Sequence, residues 1–141
     1  MKIFKYSILL VIVCIGFITA CNDNKNNLAY YQLNGIVTDS LTTNPLKKIR
    51  IIREGTDYLL YSDTTYTDSI GKYHFELTDY YAKNATFSIK VEDVDGESNG
   101  GDYVTRKLNV ILSKSDWINI ATDSEYYGTA SKNFDIKLQK K

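Results

Sequence analysis

Four segments of this chain alternate large apolar with polar side chains: Tyr73-His74-Phe75-Glu76-Leu77, Phe87-Ser88-Ile89-Lys90-Val91, Leu108-Asn109-Val110-Ile111-Leu112 and Phe134-Asp135-Ile136-Lys137-Leu138. A period of two sends one set of side chains to a core and the other to water, so each segment reads as a half-buried β-strand. Leu33 to Val37 and Ile49 to Ile52 supply two earlier strands, and Tyr58 to Tyr66, rich in Tyr and Thr, supplies another. About seven short strands in a body of this length predict an all-β fold built as one two-layer sandwich. The stretch from Ser115 to Ser131 fits the pattern least. There Trp117, Ile118 and Ile120 can form an edge strand, while Asp123-Ser124-Glu125-Tyr126-Tyr127-Gly128 reads as a loop.

The connections are chemically distinct from the strands. Asp39-Ser40 begins a turn in which a side-chain oxygen can accept from the backbone ahead, and Pro45, the only proline, lies where a strand should not run. Thr67-Asp68-Ser69-Ile70-Gly71 separates two strands, with Gly71 able to take the positive φ that closes a hairpin. Glu97-Ser98-Asn99-Gly100-Gly101-Asp102 reads as a wider loop.

The first twenty residues are of another kind. Lys2 and Lys5 precede an apolar run from Ile8 to Ile18, followed by Ile18-Thr19-Ala20-Cys21. The run is short for a membrane span, and the layout resembles a bacterial lipoprotein signal peptide with its lipobox, an uncleaved helical anchor being the competing reading. That resemblance implies removal of residues 1–20 and acylation of the Cys21 thiol, so that the mature chain is held to a membrane by its own lipid. The expected address is the cell envelope, with the outer membrane favoured and the periplasmic or surface face left open. Residues 21–29, with Asn22-Asp23-Asn24-Lys25-Asn26-Asn27 at their centre, are polar and aperiodic and read as a flexible tether. Residues 30–141 form the expected domain.

Composition narrows the function. Basic and acidic residues balance in the full chain, and loss of Lys2 and Lys5 leaves a mildly acidic body, which gives no footprint for nucleic acid. Both cysteines, Cys14 and Cys21, belong to the export segment, so the body offers no disulfide and no thiol chemistry.

Three runs, Leu33-x-Gly35-x-Val37-x-Asp39, Asn44-Pro45-Leu46-Lys47-Lys48-Ile49-x-Ile51 and Thr67-Asp68-Ser69-x-Gly71-x-Tyr73-x-Phe75, resemble the carboxypeptidase regulatory-like, transthyretin-related β-sandwich. The resemblance implies an Ig-like/transthyretin-like sandwich serving as an accessory module. A narrower likeness spans nearly the whole chain: Val91-Glu92-Asp93-Val94-Asp95-Gly96-Glu97-x-Asn99-Gly100-Gly101-Asp102-Tyr103, then Trp117, then Asp135-Ile136-Lys137-Leu138-Gln139-Lys140-Lys141. Together with the lipobox, it resembles the radical-SAM-associated lipoproteins of Bacteroidetes. It implies a radical SAM system as partner, with this chain as its companion or its substrate. No catalytic motif is carried over.

The residues themselves argue against an enzyme. The single histidine, His74, alternates out of phase with Tyr73 and Phe75 and should face solvent. A nucleophilic triad needs His74 beside a serine and a carboxylate, and no G-x-S-x-G elbow is present. One histidine without a spare cysteine cannot build a usual zinc site. The competing class, a hydrolytic or carbohydrate-active accessory lipoprotein working through an acidic cleft, survives because carboxylates are plentiful, though no pair stands out.

Two further patterns name candidate sites. Asp93, Asp95, Glu97, Asn99 and Asp102 place oxygen ligands in a glycine-containing loop of the kind calcium uses, although the spacing is not that of an EF-hand. A solvated acidic turn paired with Arg106 or Lys107 is the competing reading. Asp39-Ser40-Leu41, Asp63-Thr64-Thr65 and Asp68-Ser69-Ile70 resemble the O-glycosylation sequon of Bacteroidetes exported proteins, which marks Ser40, Thr64 and Ser69. The twelve tyrosines, paired at Tyr30-Tyr31, Tyr80-Tyr81 and Tyr126-Tyr127, suit strands as well as carbohydrate or protein contacts. Adjacent members of a pair point to opposite faces of a strand, so both cannot line one platform.

Overall fold

One long strand organises the molecule. In the computed structural model, which describes residues 28–54, 64–120 and 126–141, β1 runs through Leu28–Asp39 and buries Ala29, Tyr31, Leu33, Val37 and Asp39. The remaining strands are β2 (Ile49–Glu54), β3 (Thr64–Tyr66), β4 (Lys72–Tyr80), β5 (Ala85–Asp93), β6 (Arg106–Leu112), β7 (Trp117–Ile120), β8 (Tyr126–Asn133) and β9 (Ile136–Leu138). They form two sheets. The first has the order β4-β1-β8-β7, with β9 added alongside β1, and the second has the order β3-β2-β5-β6. The chain is an all-β sandwich. Among the described residues no helix is long and apolar enough to cross a membrane.

The alternating segments behave as their pattern requires. Tyr73, Phe75 and Leu77 of β4, Phe87, Ile89 and Val91 of β5, and Val110 and Leu112 of β6 all enter one core with Ile49 and Ile51 of β2. On the outer face of the second sheet, Glu92 of β5 is nonetheless buried, because Arg50 from its register partner on β2 and Lys90 from its own strand both bind its carboxylate. Two cations around one carboxylate offset the cost of covering it.

Three sequence expectations are corrected. The sandwich begins at Leu28, inside the expected tether, because Ala29 is fully buried and β1 pairs with β4 from Leu28 onward. Of the expected Tyr58 to Tyr66 strand, Thr64–Tyr66 is β3 and 58–63 lie outside the described residues. Tyr126, Tyr127 and Gly128, expected in a loop, open β8, which runs parallel to β1. With the Trp117 edge strand, which does form, this brings the described strands to nine where about seven were expected.

The third correction has a clear physical cause. The expected Phe134 to Leu138 strand starts only at Ile136, because β8 and β9 lie successively along the same side of β1 and the chain must step between them at Phe134-Asp135. The step crosses directly over Gly35, where a Cβ would come within 2.3 Å of the Phe134 carbonyl oxygen. Three hydrogen bonds hold it: Phe134 N donates to Asn34 O at 2.7 Å, Tyr73 Oη donates to Phe134 O at 2.6 Å, and Ile36 N donates to Asp135 Oδ1 at 2.9 Å. The Asp135 carboxylate thus replaces a missing rung of the ladder.

Candidate functional site

A groove of about 750 Å³ lies on the solvent side of β1 and β4. Strand alternation sends Asn34 and Ile36 of β1, and Lys72 and His74 of β4, toward it. Asn133 and Asp135 come from the end of β8 and the step that follows, and Thr65, Tyr66 and Asp68 from β3 and its turn. The turn is held as its sequence suggests. Asp68 Oδ1 accepts from Ile70 N and Lys72 N, both at 2.9 Å, and Gly71 takes φ 74° with no room for a Cβ between Pro45 and the Val37 carbonyl. Tyr73 forms part of the wall with its ring in the core, and burial, reinforced by the nearby Asp135 charge, pushes its phenol well above the usual range.

His74 faces solvent, as its phase in β4 requires. Its Nδ1 donates to Asn34 Oδ1 at 2.7 Å, Asn34 Nδ2 donates to Ser131 Oγ at 3.4 Å, and His74 Nε2 lies 3.5 Å from Glu76 Oε2. The row contains a serine, a histidine and a glutamate in the wrong order for proton relay. The Asn34 amide stands between Ser131 and His74, so the imidazole does not reach the hydroxyl that a triad would have it deprotonate.

The acidic segment is held by hydrogen bonds and ion pairs of its own carboxylates. Asp93 Oδ1 accepts from Asp95 N and Gly96 N, both at 3.2 Å, and Oδ2 accepts from Tyr103 N at 3.3 Å, so both oxygens serve the turn. Asp102 pairs with Lys141 at 2.8 Å, and Asp95, whose oxygens are covered and take no hydrogen bond, lies 3.9 Å from Lys48 Nζ. Glu97 is exposed, and the Asn99 side chain lies outside what is described. Neither expected cation meets Asp93. Arg106 donates to Lys137 O at 2.8 Å, and Lys107 pairs with Glu54 at 2.7 Å. Among the described residues, no three of His, Cys, Asp and Glu gather closely enough to hold a metal. Millimolar calcium is accordingly expected to leave the melting temperature within about 1 °C of its value in chelator, whereas specific binding to the folded state would raise it.

At the same end, Asp39 is buried and takes Thr42 N at 3.0 Å and Leu41 N at 2.7 Å on Oδ1, and Tyr103 Oη at 3.0 Å on Oδ2. The Thr42 and Leu41 amides, with Tyr103 and the Lys140 charge assisting, hold its carboxyl below the usual range. A carboxylate depressed in the folded state stabilises above its unfolded pKa of about 3.9, and that contribution is lost as pH falls through the lower folded value. Asp39→Asn is therefore expected to melt below the parent protein at pH 7, with the gap narrowing in thermal scans as the pH falls below about 4.

One constellation escaped the sequence reading. Tyr31, Tyr81 and Tyr127, one member of each tyrosine pair, converge with Phe87 and Trp117 at the end of the sandwich where β1 begins. Ring centroids are 5.0 Å apart for Tyr31–Phe87, 5.7 Å for Tyr31–Trp117, 5.0 Å for Trp117–Tyr127 and 3.4 Å for stacked Tyr81–Tyr127. A hydrogen bond with Tyr127 first, and burial second, push the Tyr81 phenol up to about 12. The paired tyrosines were the available signal, but pairing gives only opposite faces within one strand, while the meeting of three strands is a matter of topology. Arg53 of β2 lies 5.0 Å above the Phe87 ring and is ion-paired with Asp79 of β4, joining the two sheets. Ser40, Thr64 and Ser69, the sequon hydroxyl residues, are all exposed.

No protein-family model and no curated protein matches the chain. Among solved structures, a 3-chlorocatechol 1,2-dioxygenase from Rhodococcus opacus 1CP is 12% identical with a TM-score of 0.47, over 85% of this chain and 63% of that one. The dioxygenase domain of a dioxygenase carbohydrate-binding protein fusion from the cellulolytic bacterium Streptomyces sp. SirexAA-E is 11% identical with a TM-score of 0.40, over 82% of this chain and 84% of that one. This chain spans less than two thirds of the first of these proteins.

Proposed function

We propose that this chain is a lipid-anchored, non-enzymatic cell-envelope protein, a binding or structural module held by acylated Cys21, most consistent with the outer membrane. The observation that carries the reading is Ile18-Thr19-Ala20-Cys21 placed seven residues before the first strand of a sandwich. Support for binding over turnover comes from the groove. Its histidine is committed to the Asn34 amide, which stands between the imidazole and the Ser131 hydroxyl. The likeness to radical-SAM-associated lipoproteins suggests the partner, with this chain as companion or substrate of a maturation enzyme.

The decisive experiment is intact-mass spectrometry of the protein recovered from its native membrane. The reading expects a chain starting at Cys21 and carrying acyl mass, which Cys21→Ser abolishes together with membrane fractionation. An unacylated chain that begins at Met1 would overturn the anchor. Glycan mass lost on changing Ser40, Thr64 or Ser69, or a mass change dependent on a radical SAM enzyme, would identify modification in the same spectra. The purified protein is expected to show no turnover on peptides or glycans, and activity abolished by changing a single carboxylate would favour the hydrolytic class instead.

A further inference from the structure

The end of the sandwich where β1 begins carries exposed apolar side chains. Leu28 of β1 and Tyr80 of β4 are register partners, so they lie side by side on the outer face of the first sheet, and Tyr30 follows Leu28 on the same face. They are 45%, 61% and 42% exposed. Lys83, in the β4–β5 connection, and Lys114, before β7, are exposed at this end and make no ion pair among the described residues. The described acids here are engaged: Asp79 with Arg53, and Asp116 with Lys132 at 3.4 Å. An apolar, tyrosine-bearing corner at the same end as exposed lysines has the chemistry of the interface of an anionic bilayer, where aromatic rings sit at headgroup depth and ammonium groups meet phosphates.

Chain length selects that occupant. From Cys21 to Leu28 a fully extended chain reaches at most about 25 Å, so an acylated Cys21 keeps this corner within that distance of the membrane. The opposite end, where Leu41 and Val104 are also exposed, lies a further ~40 Å away along twelve-residue β1. We infer that the corner formed by Leu28, Tyr30 and Tyr80, with Lys83 and Lys114, is seated on the phospholipid surface, so that the body is docked and does not swing freely on its tether. This rests on the anchored reading above, and the test separates the two.

Cys21 is the only thiol of the mature chain, so that chain can be coupled through it to maleimide-headgroup vesicles of phosphatidylethanolamine and phosphatidylglycerol, whether or not the cell acylates it. Trp117, the single tryptophan, lies at the same end and reports proximity to brominated acyl chains. Docking predicts about a twofold loss of Trp117 emission in brominated vesicles relative to unbrominated ones. Leu28→Asp combined with Tyr80→Asp, and separately Lys83→Glu combined with Lys114→Glu, should each restore most of that emission in coupled protein whose melting is unchanged. Unquenched emission in the coupled parent protein, or equal quenching in parent and folded variants, overturns the docking surface. The anchor stands or falls independently on the mass of the native protein.

Discussion

Tyr31→Ala is expected to lower the unfolding free energy by about 3–5 kcal/mol, the range for emptying a large aromatic site in a close-packed core. Tyr31 is fully buried on the central strand and touches Phe87 of the opposite sheet and Trp117 of the sheet edge. Its hydroxyl donates to Tyr80 O at 2.9 Å and accepts from Ala82 N at 3.0 Å, tying the turn after β4 to β1. Burial, the larger influence, and the Asp79 charge raise the phenol above its ordinary value, although the Ala82 amide and Arg53 act against them. Tyr31→Phe separates the two contributions. It keeps the ring contacts and loses the hydrogen bonds, so it should cost about 1–2 kcal/mol in urea titrations. Equal losses for both variants would show that the hydroxyl, and not the aromatic packing, holds this end together.

Gly35→Ala should be the other severe substitution, at about 3 kcal/mol or more in the same titrations, because overpacking against immobile backbone has no cheap relaxation. An added Cβ would meet the Phe134 carbonyl oxygen at 2.3 Å, its carbon at 2.8 Å and the Tyr73 ring at 2.9 Å. The Phe134-Asp135 step would have to lift from β1, breaking the bonds from Tyr73 Oη and from Ile36 N. β9 would then lose its alignment with Val37 to Asp39. Asp135→Ala, which removes only the side chain that receives Ile36 N, should cost about 1 kcal/mol. The same residues wall the groove, so a ligand found to bind there should bind Gly35→Ala less tightly than it binds Asp135→Ala.

Alternation determined much of the fold by itself. In β4, β5 and β6 a one-residue shift in register would send every large side chain to water, so the sequence leaves one arrangement of faces. Turn chemistry was equally local: Asp39 and Asp68 receive the backbone N–H groups ahead of them, and Gly71 takes its positive φ, because those bonds lie within a few residues. The exposure of His74 followed from phase alone. Period two says nothing, however, about which strands are neighbours. Two strands running parallel to β1, the step over Gly35 and the meeting of Tyr31, Tyr81 and Tyr127 join residues far apart in sequence, and only the packed chain decides them.

The candidate sites divide along the same line. The spacing of Asp93, Asp95, Glu97, Asn99 and Asp102 describes an oxygen-rich loop, but where each carboxylate points depends on amides and lysines brought in by folding. Asp93 turns to the Tyr103 amide and Asp102 to Lys141. The groove was not legible, since its walls come from β1, β3, β4 and the step beyond β8. What the sequence by itself determined is the alternation of β4, β5 and β6, the outward face of each of those strands and the local turns at Asp39 and Asp68, all set by neighbours along the chain. What only the tertiary structure decided is which polar groups meet, because hydrogen bonds and ring contacts depend on distances that strand order and twist create.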